Sequence, residues 1–500
     1  MAESAVESKK IAREPGARVP ALLNFIGGRW VESHAREHLD VHNPATGEVI
    51  ARTPLSTAQD VDAAVAAGKN AFPVWRDTPP VVRARAMFRL KNLLEEHFEE
   101  LARLVTTENG KTIEEARGSV RRGIECVEVA CGTPSLSMGY GLENIAGGID
   151  CNVFRQPVGV CAAIAPFNFP AMVPLWFLPF AVATGNAFIV KPSEQVPLSQ
   201  KRIVELLEGC DLPPGVVNLV NGGRETVEAI CDHPGIAAVS FVGSTPVARA
   251  VYQRATHAGK RVQALGGAKN FVVVMPDADL DRAIPVIMES FYGCAGERCL
   301  AGSVLVPVGE AHRAARERMV EAARSLRMGD GMEPGVKMGP VISARHRERV
   351  AGYVEKGVAD GAELLLDGRG ARVPGHERGY FFGPTVFDRV SPTMSIGHDE
   401  IFGPVASIMP ARTLEEAIAA MQAHPNANAT SIFTSSGKAA REFARQASAS
   451  MVGVNIGVAA PMANFPFGGA KDSFFGDLKV HGRDTFEFYT DKKVVISRWF

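Results

Sequence analysis

The sequence predicts an α/β protein organised around parallel sheets, and two observations carry that expectation. Beyond Val153 there are short apolar runs at Val158-Gly-Val-Cys-Ala-Ala-Ile-Ala165, Ala187-Phe-Ile-Val190, Val216-Val-Asn-Leu-Val220 and Ala237-Ala-Val-Ser-Phe-Val242. The segments between them are each long enough for one helix, the signature of βαβ units with strands buried on both faces. A second series of the same kind runs from Phe271-Val-Val-Val-Met275 through Val304-Leu-Val306, Val405-Ala-Ser-Ile408 and Thr430-Ser-Ile-Phe433 to Met451-Val-Gly-Val-Asn455. Ahead of both, from Ala58 to about Asn109, apolar residues recur at three- and four-residue spacing, as between Val82 and Leu94, and predict helices. The first twenty or so residues are polar and are expected to be loosely held.

Five hundred residues, 46% hydrophobic and 22% charged, suffice for a large core and two or three domains. A net charge of -1 gives no electrostatic reason to expect nucleic acid or an anionic membrane surface as partner. The chain contains no run of about 18 apolar residues, and its polar start lacks the apolar segment of a secretory signal. Its eight cysteines (126, 131, 151, 161, 210, 231, 294, 299) include no Cys-x-x-Cys pair and no His/Cys cluster with zinc spacing. Reduced thiols in a cytoplasmic protein, without disulfides or a structural metal, are therefore expected.

One cysteine stands apart. Cys299 lies in Phe291-Tyr-Gly-Cys-Ala-Gly-Glu-Arg-Cys-Leu-Ala-Gly-Ser303, just before a strand-like run. A small, glycine-flanked turn leaves room for a substrate, and Arg298 beside the sulfur is expected to favour the thiolate. The competing reading of an isolated Gly-x-x-Cys is a buried structural cysteine. Four more segments weigh against it: Ala165-Pro-Phe-Asn-Phe-Pro170, Val190-Lys-Pro-Ser-Glu194, Phe241-Val-Gly-Ser-Thr245 and Asp399-Glu-Ile-Phe-Gly-Pro-Val405.

With Gly296-Glu-Arg-Cys299, these segments resemble the motifs of aldehyde dehydrogenases, in that family's order and at its intervals. The closest resemblance is to the CoA-acylating methylmalonate-semialdehyde branch, from Asn24-Phe-Ile-Gly-Gly-Arg-Trp30 to Phe500. The resemblance implies a doubly wound dinucleotide-binding domain (20–133 and 157–264), an α/β catalytic domain (265–465) and a small β extension (134–156 and 478–500). The extension is used in oligomer contacts, making a homotetramer or homodimer the expected assembly.

By the same resemblance NAD is the expected cofactor, with Ala165, Phe167, Lys191, Glu194, Gly243, Ser244, Glu400 and Phe402 at its positions. Gly243 and Ser244 end an apolar strand and open a helix, where free N–H groups can receive a pyrophosphate, although Gly-x-Gly-x-x-Gly is absent. Lys191 and Glu194 follow a strand, and a carboxylate there suits ribose hydroxyls while repelling the extra phosphate of NADP. Their alternative reading is a solvated charge pair. Asn168, between aromatics and prolines, is a turn former on its own. The resemblance assigns its amide, with the Cys299 N–H, to an oxyanion hole.

An absence directs the reading of the second half-reaction. Hydrolytic aldehyde dehydrogenases carry a glutamate that activates water in the segment that here reads Ala264-Leu-Gly-Gly267, and Ala264 is assigned to that position, 35 residues (299 - 264) before Cys299. A methyl group is no base, so an external thiol, CoA, is expected to take the acyl group. Glu297, two residues from the nucleophile, is the alternative base. The resemblance also implies that Arg122 and Arg298 grip a substrate carboxylate, a task suited to guanidinium forks. The sequence departs from common family residues at Glu297, Phe271 and Leu300, which bears on the size and polarity of the pocket.

The expected function is NAD-dependent, CoA-acylating oxidation of malonate or methylmalonate semialdehyde to acetyl-CoA or propionyl-CoA, with loss of the carboxylate. A hydrolytic aldehyde dehydrogenase is the alternative. A non-catalytic binding protein is disfavoured by the Cys299 and Asn168 pair, and a thiol acyltransferase by Lys191, Glu194 and Glu400.

Overall fold

A computed structural model describes Val19 and residues 21–500. The polar start expected to be loosely held lies outside the described residues. The helical stretch forms three helices, Ala58–Asp77, Pro80–Glu96 and Phe98–Asn109, followed by Ile113–Cys131. Capping boxes start the first and last of these, Thr57 with Asp60 and Thr112 with Glu115. Each satisfies two N–H groups that a helix start leaves unpaired.

The first βα series builds an eight-stranded sheet whose centre runs Val217–Leu219, Ala187–Lys191, Val160–Ile164, Ile236–Val242, Arg261–Leu265, all parallel. Numbered along the chain, that order is 3-2-1-4-5, so the sheet is doubly wound with a switch point between Val160–Ile164 and Ile236–Val242. The apolar runs locate each of these strands except Arg261–Leu265, whose polar start hides it. Alternate residues feed two cores: Val160, Ala162 and Ile164 pack on one face, Cys161 and Ala163 on the other.

The second series builds a seven-stranded sheet in the order Glu363–Leu366, Thr385–Asp388, Val405–Ile408, Gly302–Pro307, Asn270–Val274, Ala429–Phe433, Met451–Val454, parallel apart from its first pair. It encloses its own core, which includes Phe271, Val273, Ile287, Leu305 and Phe387. A third, antiparallel sheet joins Tyr140–Ala146, Ile149–Pro157 and Thr490–Arg498.

The chain leaves the first sheet at the carboxyl end of Arg261–Leu265 and enters the second at Asn270. The carboxyl edge of one sheet is thereby brought to the amino edge of the other. Cys299 precedes Gly302–Pro307 and Asn428 precedes Ala429–Phe433, so both belong to that same amino edge.

Candidate active site

Cys299 sits in a turn between the helix Leu280–Tyr292 and the strand Gly302–Pro307. The turn begins with left-handed backbone at two non-glycine residues, Cys294 (φ 51°) and Ala295 (φ 52°), an arrangement that persists only where the surroundings impose it. At Gly296 (φ +74°) a Cβ would lie 2.3 Å from the Gly403 carbonyl oxygen, so only glycine lets the turn approach the 399–405 loop. Two asparagines hold the nucleophile: Nδ2 of Asn270 (3.0 Å) and of Asn428 (2.8 Å) both donate to the Cys299 carbonyl. Asn270 also donates to the Ala301 carbonyl and accepts from Ala429 N–H. Neither was identified from sequence, although an asparagine opening the apolar strand Asn270–Val274 is the kind of buried polar residue that signals a fixed role.

Asn168 is buried 129 residues away in sequence, yet its Nδ2 donates to the Glu297 carbonyl at 2.9 Å. One amide hydrogen therefore ties it to the catalytic turn and the second remains for an oxyanion. Lys111, also buried, donates to the Asn168 main-chain carbonyl and lies 3.8 Å over the Phe169 ring. Asn109 Nδ2 donates to the Phe167 carbonyl. Both supports come from the end of one helix and the loop after it.

The electrostatics differ from the expectation that Arg298 makes the thiolate. Burial, then the Glu400 carboxylate, push the Cys299 thiol up to about 12, and Arg298 is the smallest of the opposing influences. The guanidinium is turned away to Cys294 and Glu115. Alkylation of Cys299 by iodoacetamide, followed by mass spectrometry of its peptide, is accordingly expected to rise about tenfold per pH unit between about pH 7 and 9 without levelling, because only the thiolate reacts. A plateau below about pH 8 would mean the free protein already holds a thiolate.

Glu297 is unsuited to be a base. It is buried, its Oε1 accepts from Ile342 N–H at 3.1 Å, and burial raises its carboxyl well above the ordinary range. Ala264, which the resemblance assigns to the water-activating position, is fully buried. On Arg261–Leu265 successive side chains alternate: Val262 and Ala264 enter the core with Phe241 and Phe475, on the far face of the sheet. Leu265 enters the opposite core, the one against which Cys299 packs. Neither Ala264 nor Leu265 carries a group that could activate water.

The sequence-predicted nucleotide residues converge on one crevice. Ala165, Phe167 and Asn168 follow Val160–Ile164, and Gly243 and Ser244 follow Ile236–Val242, at the carboxyl ends of the two strands that flank the switch point. Such crevices are where doubly wound sheets take nucleotides. Ser244 is the N-cap of the helix Thr245–His257 and is exposed with no side-chain cap, leaving that helix start open to an anion. Lys191 and Glu194 pair at 2.9 Å beside it. They are not a solvated pair, since Lys191 is buried; burial draws the Glu194 carboxyl upward but Lys191 outweighs it and holds it below its ordinary value.

Glu400 accepts from Ala268 N–H at 2.9 Å, and burial lifts its carboxyl to about 7. Lys269 Nζ holds the same loop through the Ile396 and Asp399 carbonyls. Phe402 has left-handed backbone (φ 60°) and meets the Phe167 ring edge-on, centroids 5.8 Å apart.

Each of the two arginines has a carboxylate partner of its own. Arg122 pairs with Glu125 (2.9 Å) on a half-exposed face, and Arg298 with Glu115 (3.1 Å) in a largely buried one. Both partners lie on the helix Ile113–Cys131. Among the described residues no group of three or more His, Cys, Asp or Glu is placed to hold a metal, and no helix is long and apolar enough to cross a membrane.

A doubly wound sheet facing a second α/β unit, with an asparagine and a cysteine at their junction, is the architecture of a nucleotide-dependent enzyme. The sequence model of the aldehyde dehydrogenase family matches residues 30–495, and the chain belongs to that family. It is 51% identical to malonate-semialdehyde dehydrogenase 1 of Geobacillus kaustophilus over 96% of this chain and 98% of that one. It is 53% identical to malonate-semialdehyde dehydrogenase 2 of Geobacillus thermodenitrificans over 95% and 99%. Among solved structures, a protein assigned as a methylmalonate-semialdehyde dehydrogenase from Sinorhizobium meliloti, complexed with NAD, superposes with TM-score 0.95 at 44% identity, covering 97% of this chain and 99% of that one. The methylmalonate-semialdehyde dehydrogenase of Oceanimonas doudoroffii superposes with TM-score 0.94 at 45% identity, covering 96% and 98%.

Proposed function

We propose that this enzyme is an NAD-dependent, CoA-acylating dehydrogenase of malonate and methylmalonate semialdehydes. The observation that carries the CoA half is the methyl side chain of Ala264 at the position the resemblance gives to the water-activating glutamate, with Glu297 buried and its Oε1 engaged by Ile342 N–H. The names of the relatives point the same way.

The residues present fit NAD: the open helix start at Ser244 suits a pyrophosphate, the carboxylate of Glu194 a ribose, and Glu400 with Phe402 the nicotinamide end. NAD supplies the hydride acceptor when bound. The Cys299 sulfur adds to the aldehyde carbon as its thiol proton is released, to be regained when CoA displaces the sulfur, and the Asn168 amide with the Cys299 N–H stabilises the oxyanion. Loss of the aldehyde hydrogen as hydride leaves a thioester on Cys299. Arg298 and Arg122 hold the substrate carboxylate, which departs as CO2, its electron pair passing through an enolate in the same oxyanion hole. The proton that completes the new methyl or methylene group balances the one the CoA thiol loses as it displaces Cys299. The products are acetyl-CoA or propionyl-CoA, CO2 and NADH.

We infer the domain division stated above and a homodimer or homotetramer formed through the three-stranded sheet. Its apolar Tyr140, Leu142, Val494 and Ile496 share one face of that sheet and are exposed in the single chain, the kind of apolar patch that marks a contact between chains. Eight free thiols favour a cytoplasmic location.

NADH formation from malonate semialdehyde tests the reading. Without CoA, one equivalent per active site is expected in a burst followed by slow turnover; CoA restores steady production and yields an acyl-CoA. Ala264→Glu is expected to raise CoA-independent turnover where the pocket accommodates the larger side chain and water reaches the thioester. Fast steady turnover without CoA, giving free acid, would promote the hydrolytic alternative.

A further inference from the structure

One carboxylate joins the helix that carries Arg122 to the turn that carries Cys299. Glu115 Oε2 accepts from Thr112 N–H at 2.9 Å, closing the capping box of Ile113–Cys131. Its Oε1 faces the other way, accepting from Cys294 N–H at 2.6 Å and from Arg298 at 3.1 Å. The first oxygen performs the local structural task and the second belongs to the site. Arg298 is seated by two further donations, Nε to the Cys294 sulfur at 3.2 Å and a terminal nitrogen to the Glu289 carbonyl at 3.5 Å. Its guanidinium lies so close over Gly293 that a Cβ there would come within 2.7 Å. A guanidinium has five N–H groups, so two stay uncommitted, one on each terminal nitrogen, the number a carboxylate takes in a two-point contact.

We propose that Glu115 is the positioning residue that sets the enzyme's handling of the substrate carboxylate, by seating Arg298 and partly neutralising it. This rests on the reading of Arg298 as a carboxylate reader. Glu115 and Arg122 are seven residues apart on one helix and share a face, so Glu115 also sets where Arg298 stands relative to Arg122. The chemistry gives the counter-charge a purpose. A carboxylate gripped by an unneutralised guanidinium is stabilised in the ground state, and that stabilisation is lost when the group leaves as neutral CO2. Glu115 weakens the grip enough for the carboxylate to bind and still depart.

The test compares malonate semialdehyde with propanal in Glu115→Gln, which keeps an acceptor at the same place and removes the charge. For malonate semialdehyde KM is expected to fall about 10-fold, the lower end of a charge-assisted hydrogen bond, with kcat falling too and CO2 release lagging the NADH burst. For propanal both constants are expected to move less than about 2-fold, since nothing on it meets Arg298. Glu115→Asp, which keeps the cap but withdraws the carboxylate from Arg298, is expected to shift the same ratio in the same direction, and it decides the matter if Glu115→Gln does not fold. Equal changes on both substrates, or none, overturn the proposal and leave Glu115 a scaffold residue. Arg298→Leu, run in parallel, separates the two failures. It is expected to raise KM for malonate semialdehyde alone by about 10- to 150-fold. Equal losses on both substrates there would overturn the reading of Arg298 itself.

Discussion

Replacing Cys299 by alanine is expected to lower NADH formation by on the order of 10⁶-fold while leaving NAD affinity near that of the unaltered enzyme. Removal of a catalytic nucleophile has effects of that size because no other group in the site can form the covalent intermediate. Cys294 cannot substitute: it is buried, and its sulfur accepts from Arg298. The remaining thiols lie on other elements, six of the eight cysteines being buried. NAD affinity is spared because the crevice that suits a dinucleotide is built from 165–168, 191–194 and 243–244, none of which relies on the Cys299 side chain. Steady-state NADH production and calorimetric NAD titration decide the case, and activity above a trace in the alanine variant would remove Cys299 as nucleophile.

Asn168→Ala is expected to slow acylation by roughly 10² to 10³, the range for one lost oxyanion donor. Two effects add here, since the same amide also donates to the Glu297 carbonyl and helps hold the turn before Cys299. The pre-steady-state NADH burst isolates acylation, and a burst of unaltered rate would take Asn168 out of the chemistry. A parallel iodoacetamide titration checks the turn, because a collapsed turn would change Cys299 reactivity as well as the burst.

The apolar runs of the two βα series were legible as strands because parallel strands covered on both faces must be continuously apolar. Arg261–Leu265 was not, since Arg261 and Gln263 break its run: Arg261 donates to the Phe488 and Thr490 carbonyls and Gln263 Nε2 to the Ser240 hydroxyl.

What the sequence determined alone is the inventory and its linear order: a cysteine in a glycine-rich turn, an asparagine in a proline-bound loop, small residues after a strand, and no glutamate before Gly266. These follow from local chemistry, because a turn, a helix start or a strand end constrains the residues that form it. The tertiary structure alone decided that Asn270 and Asn428 hold the Cys299 carbonyl, that Arg298 turns toward Glu115, and that burial pushes the Cys299 thiol up. Each of these depends on groups 29 to 183 residues apart in the chain meeting across the junction of two sheets. Burial and distance, which set both hydrogen-bond partners and proton affinities, exist only once the two sheets have been brought together.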